Sequence, residues 1–314
     1  MTTLTDTRAF LARVPAGLVE VRGDDRATFL NAVVSQEIEA LPAGRWAGAL
    51  LLDAHGSPLA LMDVVVLDGR VLLVLDDDAR AGEVADLLRG RTFLAQVTVE
   101  HVPDVTRWAL RGASDQVMGL VAPRQLAAGE ASETDAAVVI ARHDGIDLIG
   151  TTAPSAVAAV LAAGVRAADA DALHAWRVAH GQPQWGHEVR PPHLPEELGL
   201  LPTHVHLQKG CYPGQEAVAR MWMLGRPRRR LARVALTGAA APGWTYGEGK
   251  QRVEVTSAAE VDGERVGLAF VPADATPQQR FGDDGANVVV DGFVGDGEPI
   301  PGWDASVVRR RDRR

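Results

Sequence analysis

Residues 17–23, GLVEVRG, alternate apolar and polar positions and end in glycine, the pattern of a short strand with one buried face. Asp24 or Asp25 then offers an N-cap for a helix through Arg26–Val34, whose Phe29, Leu30, Val33 and Val34 fall on one side. Apolar runs at Trp46–Leu52, Leu59–Leu67 and Val71–Leu75, parted by AHGSP and DG turns, predict antiparallel strands. Asp76–Leu88 reads as an amphipathic helix and Phe93–Val102 as a further strand. A strand-helix-strand-strand-helix-strand order of this kind belongs to α+β layers.

A weaker pattern of the same sort runs from Trp108 to Val165, with strands near 108–111, 137–142 and 146–150 and a helix over 153–163. An alanine-rich helix, Ala167–His180, ends at Gly181. The stretch QPQWGHEVRPPHLPEELGL carries too much proline for regular structure and is read as an ordered connector. From Arg230 onward LARVAL, RVEVTSAAEV, RVGLAFV and ANVVV are short strands divided by Gly, Pro and Asp, the spacing of a small all-β barrel or sandwich. The expected organisation is an α+β subdomain over 1–105, a second α+β subdomain over 106–228, a C-terminal β-barrel over 229–304 and a basic tail over 305–314.

Composition narrows this picture. A chain of 314 residues exceeds one typical core, which agrees with two or three subdomains. No run approaches the eighteen apolar residues of a membrane span, and the N-terminus has no basic region followed by an apolar stretch, so a cytoplasmic protein without membrane contact is expected. The net charge of −9 argues against direct nucleic-acid binding, although RPRRRLAR at 226–233 and RRRDRR at the C-terminus each carry five arginines. A single cysteine, Cys211, excludes an internal disulfide and any all-cysteine metal site.

Cys211 stands in LQKGCYPGQEAVAR, two residues after Lys209, one of only two lysines in the chain. Pro213 suits the first turn of a helix running through Gln215–Met223. Cys211 would then precede a helix N-terminus and lie near the Lys209 ammonium, and both favour a thiolate. A small buried hydrophobe is the other reading of a free cysteine. Five histidines lie between His180 and His206 without HExxH or facial-triad spacing, so no metal site is expected. G-x-S-x-G, P-loop and G-x-G-x-x-G motifs are absent, which removes the simplest hydrolase, ATP and NAD readings.

Lys209–Glu216, with Trp185-Gly-His-Glu188 and LPEELGL upstream, resembles the YgfZ-type folate-binding branch of the aminomethyltransferase superfamily. Its signature is Lys-Gly-Cys-Tyr/Phe-x-Gly-Gln-Glu, and all seven specified positions match. The segment VEVRGDDRATFLNAVVSQEIEALPAGRWAGALLLDAHGSPLA resembles the family's opening, and EVTSAAEVDGERVGLAFV its barrel. The resemblance implies two ferredoxin-like α/β subdomains and a barrel in a ring around a central channel that holds tetrahydrofolate or a folate derivative. It implies a monomer that serves iron–sulfur enzymes or assembly proteins, including tRNA-modifying enzymes, with Cys211 and Lys209 carrying the chemistry. Tyr212, Gly214, Gln215, Glu216, Trp185 and Glu188 would then face the ligand. Arg220, Arg226 and Arg228 would meet folate carboxylates, with a solvated basic strand edge as the other reading of that cluster.

Two departures from the transferases bear on activity. Ala179 stands where they carry a pterin-holding glutamate, and Ala60-Leu61 where they carry paired aspartates, with Asp63 two residues on. Methylene transfer from a protein-bound aminomethyl group is therefore not expected. Two functional classes remain: an iron–sulfur accessory protein that binds tetrahydrofolate, and a folate-dependent one-carbon transferase or demethylase with a rearranged site.

Overall fold

The computed structural model describes residues 9–122, 125–134, 137–152, 155–224 (the side chain of Leu224 excepted) and 227–296. Arg226 and the basic tail lie outside them. In chain order the first elements are β1 (Phe10–Pro15), β2 (Gly17–Arg22), α1 (Arg26–Val33), β3 (Arg45–Leu52), β4 (Pro58–Leu67), β5 (Arg70–Leu75), α2 (Asp78–Arg89) and β6 (Thr98–Val102). Five of these strands form an antiparallel sheet in the order β3-β4-β5-β2-β6.

Both faces of this sheet are used, and β4 shows why. Strand geometry sends alternate side chains to opposite sides. Ala60, Met62 and Val64 pack with Phe29 and Leu30 of α1 and Val84 and Leu88 of α2. Val65 and Leu67 instead join Val138, Ile140 and Ile149 in a separate core. Leu61 packs toward the connector and the barrel. Asp77 starts α2 by accepting from the Arg80 amide at 2.7 Å, a side-chain N-cap.

The middle of the chain contributes β7 (Thr106–Arg111), α3 (Asp115–Met118), β8 (Ala131–Glu133), β9 (Val138–Arg142), β10 (Gly145–Gly150), α4 (Ser155–Ala162), β11 (Arg166–Ala168) and α5 (Ala170–Ala179). The second sheet runs β11-β1-β7-β10-β9-β8. Strand β1 lies inside it, antiparallel to β7 and parallel to β11. The first described strand therefore belongs to the second sheet.

The last third holds α6 (Leu201–His204), α7 (Gln215–Leu224), β12 (Arg229–Gly238), β13 (Thr245–Tyr246), β14 (Val253–Val261), β15 (Glu264–Pro272), β16 (Arg280–Gly282) and β17 (Ala286–Phe293). The sheet β13-β14-β15-β12-β17-β16 curls into a nearly closed barrel around Val234, Val255, Val271, Phe281 and Val288. Bulges at Arg233/Val234 and Val255/Ser257 supply local bends of the kind that sharpen curvature.

One strand expectation shifts. The strand expected from Phe93 begins only at Thr98, because Phe93 adopts φ 40° in a turn and its ring is 90% exposed. The proline-rich connector forms a core of its own, in which Val189, Leu198, Leu200, Leu201 and Val205 join Leu50 and Leu52 of β3 to Leu231, Leu268 and Phe270 of the barrel. No helix among the described residues is long and apolar enough to cross a membrane.

Candidate functional site: the Cys211 loop and the charged seam

The approach to Cys211 is strapped to the first subdomain. The His206 amide donates to Ser35 O at 2.9 Å, Ser35 Oγ to His204 O at 2.6 Å, and Gln36 Nε2 to Thr203 O at 3.4 Å. The strap ends at Lys209, which is buried. Its Nζ donates to Val34 O at 2.6 Å and to Asn31 O, both at the carboxyl end of α1. The same nitrogen lies 4.9 Å from the Tyr212 ring centroid. Burial pushes the Lys209 amine down to about 8, against the opposing pull of Glu37 and Glu39.

Cys211 itself is exposed, so the reading as a buried hydrophobe does not hold. After it the chain turns at Gly214, whose φ is +82°. A Cβ there would sit 2.5 Å from the Asp53 carbonyl oxygen, so only glycine fits this close approach to the β3–β4 turn. Helix α7 begins at Gln215, which places Pro213 in the turn before the helix instead of in its first turn. The left-handed residue between them is the reason.

The other residues implied by the resemblance divide into groups. Tyr212 is buried, its Oη has no hydrogen-bond partner among the described residues, and burial pushes the phenol up to about 12. Gln215 Nε2 donates to Lys209 O at 3.5 Å. Glu216 and Arg220 form an exposed pair one helical turn apart, at 2.7 Å. Trp185 carries the Arg80 guanidinium over its ring at 4.1 Å.

Glu188 is fully buried. It accepts from Arg177 Nη1 at 3.0 Å, Ser257 Oγ at 2.5 Å and the Gln184 amide at 3.1 Å, so its oxygens are committed within the protein. Arg228 is exposed at the entry to β12. Most of the adjoining cluster is paired: Arg229 with Glu254 at 3.8 Å, Arg233 with Asp291 at 3.6 Å, and Arg230 with Asp296. The reading of this cluster as a solvated basic strand edge does not hold, because β12 lies inside its sheet between β15 and β17 and these arginines are paired.

A second constellation, largely missed in the sequence, lies where the two sheets meet. Asp63 on β4 is paired with Arg142 on β9, whose guanidinium stands 4.7 Å from the centroid of the Trp46 ring. Arg142 Nε donates to Asp147 Oδ2 at 2.6 Å, and Arg111 Nη2 reaches Asp147 Oδ1 at 2.8 Å. Arg111 Nε lies 3.4 Å from Asp144, which also accepts from Trp176 Nε1 and Gln182 Nε2, each at 2.8 Å. Asp147 is fully buried. Burial alone would raise its carboxyl, but the guanidinium groups of Arg111, Arg142 and Arg107 hold it well below the ordinary carboxylate range.

His204 borders the same seam, its ring filling the space that a Cβ on Gly48 would need at 2.6 Å. Burial pushes this imidazole down to about 4, with Asp63 opposing and Arg142 assisting, so it is neutral at pH 7. The available sequence signal for the seam is a charge inside an apolar strand, Arg142 after VVIA and Asp147 within GIDLIG. Among the described residues no cluster of three or more His, Cys, Asp or Glu could hold a metal ion.

No family model matches the chain. It is 28% identical over 231 residues to the human mitochondrial iron–sulfur cluster assembly factor IBA57, a match covering 68% of this chain and 62% of that protein. It is 23% identical over 217 residues to the tRNA-modifying protein YgfZ of Vibrio atlanticus (strain LGP32), covering 68% and 66%. A putative chloroplastic transferase of Arabidopsis thaliana is 22% identical over 267 residues, covering 77% and 59%. The chain thus spans 66% or less of the length of each of these relatives. In fold it is similar to the glycine cleavage system aminomethyltransferase T of Bartonella henselae, with a TM-score of 0.75, 18% identity, and coverage of 94% of this chain and 88% of that one. In sequence the chain is thus similar to YgfZ and IBA57, and in fold to the aminomethyltransferase.

Proposed function

We propose that the protein binds tetrahydrofolate or a folate derivative and serves iron–sulfur cluster assembly or maintenance, tRNA-modifying iron–sulfur enzymes among its clients, through the Cys211 thiol. The observation that carries this reading is the exposed thiol on a loop anchored in the protein interior. The names of two relatives, an iron–sulfur assembly factor and a tRNA-modifying protein, give it direction.

The residues present suit a folate. Tyr212 Oη is a buried hydroxyl without a partner among the described residues, and such groups are costly unless something satisfies them. Asp63 and Arg142 are only partly buried and offer a carboxylate and a guanidinium to a heterocycle carrying both donors and acceptors. Trp46 provides an apolar face beside them. Arg220 and Arg228 remain the candidates for the carboxylates of a glutamate tail. A bound tetrahydrofolate supplies reduced ring nitrogens able to carry a one-carbon unit.

The protein's own part is binding and orientation. Asp63 already meets Arg142, so its carboxylate is engaged in an ion pair within the protein. Ala179 brings no acid. This favours the accessory role over the rearranged one-carbon transferase, which would need a proton-transferring group at the folate.

Saturating tetrahydrofolate should raise the melting temperature by mass action, with about 2.7 kcal/mol of stabilisation at a hundredfold excess over Kd. Cys211→Ser should keep that shift and lose support of iron–sulfur enzyme activity in cells. Absence of any shift removes the folate assignment, and full activity of Cys211→Ser removes the thiol. Formation of methylene-tetrahydrofolate from a small amine would instead establish the transferase.

A further inference from the structure

We propose that Lys209 is the positioning residue of the Cys211 loop: it clamps the loop to the carboxyl end of α1 and influences the sulfur only through where it holds it. The proposal deepens the role given to Cys211 above, but the loop geometry on which it stands does not depend on folate or on iron–sulfur chemistry.

Helix α1 has its C-cap at Val34, whose amide donates to Leu30 O at 3.0 Å. Val34 leaves in extended geometry at φ −107° and ψ 162°, and the last carbonyls of a helix lack partners within it. Two such oxygens, Asn31 O and Val34 O, receive Nζ of Lys209, from a residue about 175 positions away in the chain (|i−j| 178 and 175). The carboxyl end of a helix also attracts a cation. The other contacts of the strap, through Ser35, Gln36 and His206, lie upstream, so Lys209 is the last fixed point before the thiol. Two residues of extended chain reach at most about 7 Å, so pinning residue 209 confines Cys211 to a small region.

This placement runs against electrostatic activation of the thiol. Two of the three donors of Nζ are spent on carbonyls in the interior, whereas Cys211 faces solvent. The ionisable groups around Nζ are Glu37 and Glu39, from the segment after α1, and Tyr212 from the loop itself; α1 contributes carbonyl oxygens. Glu39 is in turn held by Thr28 at 2.6 Å and Asn31 at 3.0 Å. A neutral amine keeps two N–H groups, enough for both carbonyls. The clamp therefore survives deprotonation, whereas a charge effect on the sulfur would not.

The test uses the full chain and two readouts, amide exchange over residues 207–214 and iodoacetamide alkylation of Cys211 from pH 6 to 10. In the wild-type protein, protection of 207–214, corrected for intrinsic exchange, should be equal at pH 7 and pH 9. Lys209→Met keeps length and volume and removes the buried charge. It should speed exchange over 207–214 by ~10-fold or more with β5 unchanged, as expected for local opening. It should also alter the limiting alkylation rate several-fold while the pH of half-maximal rate stays fixed. A rise in that pH with exchange unchanged would show Lys209 acting by charge and overturn the proposal. Unchanged exchange and alkylation would also overturn it, as would protection that collapses in the wild type between pH 7 and 9, a result that needs no variant to fold.

Discussion

Glu188 joins three parts of the chain at one buried carboxylate: Arg177 on α5, Ser257 on β14 and the backbone at Gln184. Glu188→Ala would leave the Arg177 guanidinium in the interior with Ser257 Oγ at 2.7 Å and Gln182 O at 3.3 Å as its remaining hydrogen-bond partners. Burial already lowers Arg177 from its ordinary value, and Glu188 is the main influence opposing that. Removing one partner of a buried ion pair costs about 3–5 kcal/mol, a large share of a typical 5–15 kcal/mol total. With ~2.1 cal/mol/K of unfolding entropy per residue, 314 residues carry roughly 0.66 kcal/mol/K, so a loss of ~4 kcal/mol lowers the melting temperature by about 6 °C if the chain unfolds as one unit. Calorimetry and urea titration of Glu188→Ala, Arg177→Met and the double variant check this. The double variant should be more stable than Glu188→Ala, because no charge is left unpaired. A loss below about 1 kcal/mol in Glu188→Ala, or a double variant as unstable as the sum of the singles, would refute the reasoning.

Other consequences are as direct. Asp147 has its carboxyl depressed in the fold, so its stabilisation is complete above the unfolded value near 4 and is lost as pH falls toward the folded one. Asp147→Asn should therefore lower the urea midpoint strongly at pH 7 and less at pH 3. His204 is depressed to about 4, so the unfolded chain binds its proton more tightly between about 4 and 6.5 and stability falls as pH drops through that window. His204→Gln should flatten this slope, read from melting temperatures between pH 4 and 7. Gly214→Ala forces a side chain against the Asp53 carbonyl at φ +82° and should cost more than about 1 kcal/mol in chemical denaturation. Tyr212→Phe deletes a hydroxyl without a partner among the described residues, so stability should change by less than about 1 kcal/mol while the tetrahydrofolate-induced shift shrinks.

Much of the fold was legible because its strands carry their burial in their spelling. The apolar run Leu59–Leu67 predicts a strand, and β4 covers it, dividing its alternate residues between two cores. The short pieces β8, β13 and β16 hold two or three residues each, too few for a period to register. Lys209 illustrates the limit at the site. The motif drew attention to it, and proximity in sequence suggested a role beside Cys211. Its partners, however, are backbone carbonyls of a distant helix, which no residue type advertises. Arg142 and Asp147 looked like charges in strands, and only the meeting of two sheets turns them into a network with Asp63.

The place of β1 has a consequence for how the molecule can be made and cut. Phe10–Ala12 pairs with Arg166–Ala168, and between these partners the ribosome must produce the whole first sheet. The second sheet therefore waits, with a gap between β7 and β11, until a strand synthesised before the first sheet is recruited back. Contacts so remote in sequence favour slow, late assembly over closure of one unit at a time. A fragment starting after residue 105 would lack an interior strand and expose two raw sheet edges, an invitation to pair with other chains. Residues 10–15 supplied in trans as a peptide would be the natural complement for such a fragment, much as a missing rung completes a ladder.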